Sequence, residues 1–180
     1  MDTLVRSSRA GDKGLEIWFE IQPTVRVDRI PMRTIVLHSR NTSKDPVRIY
    51  LPQAEPFRAG ISTIVMICGD GVLVVPEPHP HGYQVTEVDF PLLSPGEEKT
   101  FEQSFSLDPM VPGPGMRTER RNGFEPGKRV RVRWTYENAI QKWEGGAQTL
   151  DGPTKTLFGG KDIPHIWLGK LSVDSEWIAP

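Results

Sequence analysis

The sequence predicts an all-β protein built as an antiparallel β-sandwich, and three stretches with a clean period of two carry that prediction. In Leu15–Gln22, Leu15, Ile17, Phe19 and Ile21 share one face, while Glu16, Glu20 and Gln22 share the other. After Pro95-Gly96, Phe101, Phe105 and Leu107 oppose Glu102, Ser104, Ser106 and Asp108. In Arg129–Glu137, Val130, Val132, Trp134 and Tyr136 oppose Arg129, Arg131, Arg133 and Glu137. Strands that alternate this way bury one face and wet the other, as antiparallel sheets do.

Taken in order, residues 1–14 are polar and read as a flexible N-terminal arm, with a single sandwich domain over 15–180. Leu15–Val27 is the first strand, with a break near Pro23. Met32–Asn41 is the second, and its unbroken Ile35-Val36-Leu37 predicts a central strand covered on both faces. Asn41–Asp45 turns, and Val47, Ile49 and Leu51 alternate beyond it. Gly69-Asp70-Gly71 between Gly60–Cys68 and Gly71–Val75 signals a hairpin. Tyr83–Phe90 is extended, Ser94–Glu97 turns, and Lys99–Leu107 follows as a strand. Pro109–Gly127 has prolines and glycines but no apolar periodicity, so it reads as a long loop insert. Asn138–Pro164, broken by paired glycines, reads as a second irregular insert. Trp167, Leu171, Val173 and Trp177 share a parity in a closing strand.

So many short strands, evenly spaced and without an amphipathic helix, predict an immunoglobulin-like β-sandwich, with a jelly roll or small barrel as the alternative. Certain turns and strands then resemble known domains. They are Leu93-Ser94-Pro95-Gly96-Glu97 and the aromatic strand after it, Pro126-Gly127-Lys128 leading into VRVRWTYEN, and Trp167-Leu168-Gly169-Lys170-Leu171. Across residues 85–177 this order resembles bacterial immunoglobulin-like sandwich domains, including those similar to the intracellular proteinase inhibitor of bacilli. The resemblance implies a fold with a PG-acid turn, a tyrosine-bearing strand and a closing W-x-G strand. The two inserts depart from so compact a pattern, and an inhibitor's activity is not carried over to any residue.

The chemistry that composition excludes is informative. Formal net charge is −1, which provides no basic excess to hold nucleic acid. Cys68 is the one cysteine, so neither an intrachain disulfide nor a cysteine zinc site can form. No apolar run approaches the roughly 20 residues that span a bilayer, and residues 1–14 lack a signal-peptide core. A chain that natively starts at Met1 is expected in the cytoplasm; one trimmed of a leader is expected outside it. His79 and His81 at i, i+2 on an extended segment point opposite ways, and Cys68 has no neighbouring histidine or methionine for a blue-copper site. No nucleophile elbow, zinc-protease pair or phosphate loop occurs. Neither a metal nor another cofactor is expected, and no enzyme.

The tryptophans separate into two groups. Trp134 and Trp177 share parity with apolar neighbours and are expected in the core. Trp18 lies opposite the buried face, beside Glu16 and Glu20, and is expected to point outward; outward tryptophans are enriched at contact surfaces. Trp143 sits in the second insert. The expected contact set is therefore Trp18 and Trp143, with Phe124, Leu157 and Phe158 as apolar anchors and Arg117, Arg120 and Arg121 as a polar rim. The function this predicts is a non-catalytic sandwich that binds another protein, as an accessory subunit or an inhibitor-like module. The alternative is a carbohydrate- or small-ligand-binding sandwich that stacks its ligand on exposed tryptophans.

Overall fold

The structure is a computed structural model that describes residues 4–23, 25–27, 30–51, 62–68, 71–75, 83–84, 90–105, 129–139, 142–143, 147–148 and 161–178. Among them there is strand and turn but no helix, hence no helix long and apolar enough to cross a membrane. In chain order the strands are β1 (Val5–Arg6), β2 (Ala10–Asp12), β3 (Leu15–Ile21), β4 (Val25–Val27), β5 (Ile30–Asn41), β6 (Val47–Arg48), β7 (Ser62–Cys68) and β8 (Gly71–Val75). There follow β9 (Tyr83–Gln84), β10 (Leu92–Leu93), β11 (Glu98–Phe105), β12 (Arg131–Asn138), β13 (Lys142–Trp143), β14 (Ala147–Gln148), β15 (Lys161–Asp162) and β16 (Gly169–Asp174).

Two antiparallel sheets dominate. The first runs β1-β3-β5-β11, with β2 also on β3 and β4 on β5; the second runs β16-β12-β7-β8. Alternation explains their inner faces. Leu15, Ile17, Phe19 and Ile21 from β3 join Ile64 and Met66 from β7, and Val132, Trp134 and Tyr136 from β12, in one buried cluster. β5 lies between β3 and β11, and its Ile35, Val36 and Leu37 are all buried, as a centrally placed strand requires. The Tyr136 hydroxyl ties the sheets to the segment after β6: it accepts a hydrogen bond from the Tyr50 N–H at 2.9 Å and donates one to the Tyr50 carbonyl at 3.0 Å. Burial pushes that phenol far above its ordinary pKa.

The turns follow from their residues. Glu97 N–H donates to the Ser94 carbonyl across Pro95-Gly96, and Gly96 has φ +79°, the value a type II turn demands at its third residue. In Trp167-Leu168-Gly169 a side chain at position 169 would place its Cβ 3.0 Å from the Trp167 ring, so the indole would have to shift to admit it. β7 and β8 pair with Cys68 opposite Gly71, as the hairpin signal predicts.

Two expectations are corrected here. Within the segment read as an arm, β1 and β2 are hydrogen-bonded to β3. Lys13 and Gly14, both at positive φ, form the two-residue turn between β2 and β3. The second insert is not wholly irregular either: β13 pairs with β15, and β14 with β9. The first insert, 109–127, lies outside the described residues.

The N-terminal segment also joins the two sheets. Ser7 bridges antiparallel to Ser175, and Ser8 N–H donates to the Asp174 carbonyl at 2.9 Å. On the opposite flank β6 pairs with β10, while Arg48 exchanges backbone hydrogen bonds with His165 and Trp167.

Candidate functional site

Two β-bulges, one in each sheet, set the positions of the tryptophans outside the core. In the first, Ser7 N–H bonds to the Phe19 carbonyl, whereas Ala10 lies opposite Ile17. Ser8 and Arg9 therefore share the single position opposite Trp18, the two-against-one count of a bulge. The extra residue swings Arg9 over the indole, its guanidinium carbon 4.1 Å from the ring centroid, and Arg9 also pairs with Glu16 at 3.1 Å. Trp18 stacks on His38, its partner across the strands, with centroids 4.7 Å apart and planes 8° off parallel. Glu98 holds the imidazole by Nδ1 at 2.6 Å, and His38 Nε2 is buried without a hydrogen bond. Trp18 thus lies on the outer face, as its parity predicts, but it is only 7 % exposed. Its own neighbours have closed over it, so it offers no open platform.

The second bulge does the reverse. Along β12 and β16 the pairing runs Trp134 opposite Val173, and Ser175 N–H reaches the Val132 carbonyl. An unbroken ladder would then set Val130 opposite Trp177. Instead Val130 pairs with Ile178, through mutual backbone hydrogen bonds of 2.9 and 2.7 Å. One extra residue has entered the strand between Ser175 and Ile178, so Ile178 goes into the core and Trp177 turns out. This corrects the expectation that Trp177 is a core residue. At 44 % exposure it is the most open of the large apolar side chains among the described residues, ahead of Leu92 and Leu4.

Trp177 has defined company. The Arg131 guanidinium lies 4.8 Å over its ring. Leu4, itself 40 % exposed, precedes Ser7 by three residues as Trp177 follows Ser175 by two; the antiparallel Ser7–Ser175 bridge puts both on one side of it. Beside them Arg133 grips Asp174 with two parallel hydrogen bonds, Nε to Oδ1 at 2.7 Å and Nη2 to Oδ2 at 3.0 Å. That pairing holds the Asp174 carboxyl below its ordinary value and raises the Arg133 guanidinium.

Of the contact set expected from sequence, Trp18 is placed as above. Trp143 lies in β13 opposite Lys161, with no side-chain placement described. Arg117, Arg120, Arg121, Phe124, Leu157 and Phe158 lie outside the described residues, as do His79 and His81. Among the described residues no three metal-ligating side chains converge. The pair that sequence reasoning missed is Arg131 and Trp177, because period-two parity carries no sign of an inserted residue. Comparison with family models, with curated proteins and with solved structures returned no match for this chain.

Proposed function

We propose that this chain is a non-catalytic, immunoglobulin-like β-sandwich whose work is to bind another protein, as an accessory subunit of an assembly or as an inhibitor-like module. The observation that carries this reading is Trp177. A bulge diverts a tryptophan from a core-facing position to the surface, where an arginine backs its ring. Tryptophan and arginine are the residue types most concentrated at the energetic centres of protein interfaces. The carbohydrate alternative loses one of its supports in Trp18, whose ring is already covered by Arg9 and His38.

The test is affinity capture with the full chain from a lysate of its source, with the Trp177→Ala chain in parallel. A stoichiometric protein retained by the wild type and lost from the variant supports the reading. Glycan binding that depends on Trp177, with no protein retained, sinks it.

A further inference from the structure

The first sheet ends at β11, and the Ser94–Glu97 turn fixes which of its backbone groups face outward. Gly96 N–H donates to the Asn41 carbonyl at 2.9 Å, and Asn41 N–H donates to the Glu97 carbonyl at 3.0 Å. Gly96 and Glu97 thus oppose one residue, and the positive φ of the glycine makes this a G1 bulge. Beyond it the register sets Glu98 opposite Arg40 and Lys99 opposite Ser39. Hydrogen-bonded pairs alternate along an antiparallel ladder, so Lys99 and Phe101 bond to β5. Glu98, Thr100 and Glu102 turn their N–H and C=O groups the other way. No strand among the described residues takes that edge, and Glu98, Lys99, Thr100 and Glu102 are exposed. Eight residues long and free of proline, β11 is regular enough to accept a further strand.

The side chains along this edge are selective. Across the ladder Glu102 meets Val36, not a cation, and it has no ion-pair partner among the described residues. Glu98 lies closest to His38, which takes one of its oxygens. Phe101, of the opposite parity, packs on the core but is only partly buried.

We propose that the free edge of β11 takes up an extended segment of a partner protein as an added strand, with a lysine or arginine facing Glu102 and an apolar residue facing Phe101. Backbone hydrogen bonds supply the affinity of such an addition, and the flanking side chains its selectivity. Opposed residues in a ladder share a face, so the basic and apolar residues are neighbours in the partner's sequence. A second copy of this chain is the less favoured occupant, because pairing Glu98–Glu102 with itself brings glutamate against glutamate. This edge is separate from the Trp177 surface: β1 and β11 are opposite ends of the first sheet, and Ser7, beside β1, is what bridges to Ser175.

The test screens the immobilised full chain with a random-peptide phage library; enriched peptides are synthesised, then measured by fluorescence anisotropy and by amide hydrogen exchange of the chain. Peptides with Lys or Arg next to an apolar residue should be enriched. They should slow exchange at Glu98, Thr100 and Glu102 and change Lys99 and Phe101 little, since those amides are already bonded to β5. Thr100→Pro removes one outward N–H and no bond to β5, and should weaken binding by about tenfold or more, as should Glu102→Lys. Glu102→Lys alters only an exposed side chain, so it decides the matter if Thr100→Pro fails to fold. A peptide with Glu in place of its basic residue should regain affinity for the Glu102→Lys chain. No enriched peptide, or binding indifferent to Glu102→Lys, overturns the proposal; the glutamates then serve to keep the edge unpaired. Peptides that leave the three outward amides unprotected and bind through Trp177 also overturn it, while the Trp177 reading stands.

Discussion

Trp134 and Trp177 carry the same side chain on paired strands, yet one is 1 % exposed and the other 44 %. Local propensity cannot explain that; the count of residues between hydrogen bonds does. The two should respond differently to truncation. Trp134→Ala empties a site in the middle of the core and should cost about 3–5 kcal/mol, whereas Trp177→Ala should shift stability by no more than about 0.5 kcal/mol. Urea titration of the two variants checks both. Asp174 supplies a pH signature. Its pKa lies lower in the folded chain, where Arg133 bonds it, than in the unfolded one. The pair therefore adds stability that is complete above the unfolded value, about 4, and is lost as pH falls through the folded one. Asp174→Asn should be the less stable chain at neutral pH and show a flatter decline of thermal midpoint in acid. A decline as steep as that of the wild type would remove Asp174 from the account.

At the scale of elements, the strands whose side chains alternate were legible in the sequence, because burial on one face imposes period two on the residues themselves. β3, β11 and β12 announce themselves in that way, and the β7–β8 hairpin and the Ser94–Glu97 turn do so through their turn residues. What was not legible has a common cause. β1 and β2 are too short and polar to show a pattern, and they form because β3 offers an edge to pair with. Lys13 and Gly14, at positive φ, make the hairpin that brings β2 there. The bulge after Ser175 is invisible for a related reason, since Trp177 and Ile178 are both apolar and either could have filled the core. The order of pairing decides between them. Deleting Glu176 removes the extra residue and restores the ladder: Trp177 alone then lies opposite Arg131, still facing outward, and Ile178 stays opposite Val130 in the core. No side chain changes face, so the deletion should leave the urea midpoint and the acrylamide quenching of tryptophan fluorescence nearly unchanged. A marked fall in quenching would mean that the residue count after Ser175 does not set the orientation of Trp177.

At the scale of the whole molecule, the two sheets share a core, and residues 5–12 stitch them along one side. β1 and β2 hydrogen-bond to β3 in the first sheet, and Ser7 and Ser8 bond to the end of β16 in the second. The same short segment covers an edge of β3, places Arg9 on Trp18 and brings Leu4 to the side of the junction where Trp177 emerges. Strand edges left open tend to recruit other chains, so this segment bears on solubility as well as on stability. A chain shortened to begin just before Lys13 would retain β3 and β16 but lose every described hydrogen bond that joins them through Ser7 and Ser8. It should unfold at markedly lower urea, with a loss greater than the roughly 0.5 kcal/mol typical of an outward single substitution, and should self-associate through the bared edge of β3. Sedimentation velocity at rising protein concentration, set beside the urea titration, reads both consequences. If the shortened chain stays monomeric with an unchanged midpoint, the segment is an appendage, and the sheets are held by the core and the Arg48 flank alone.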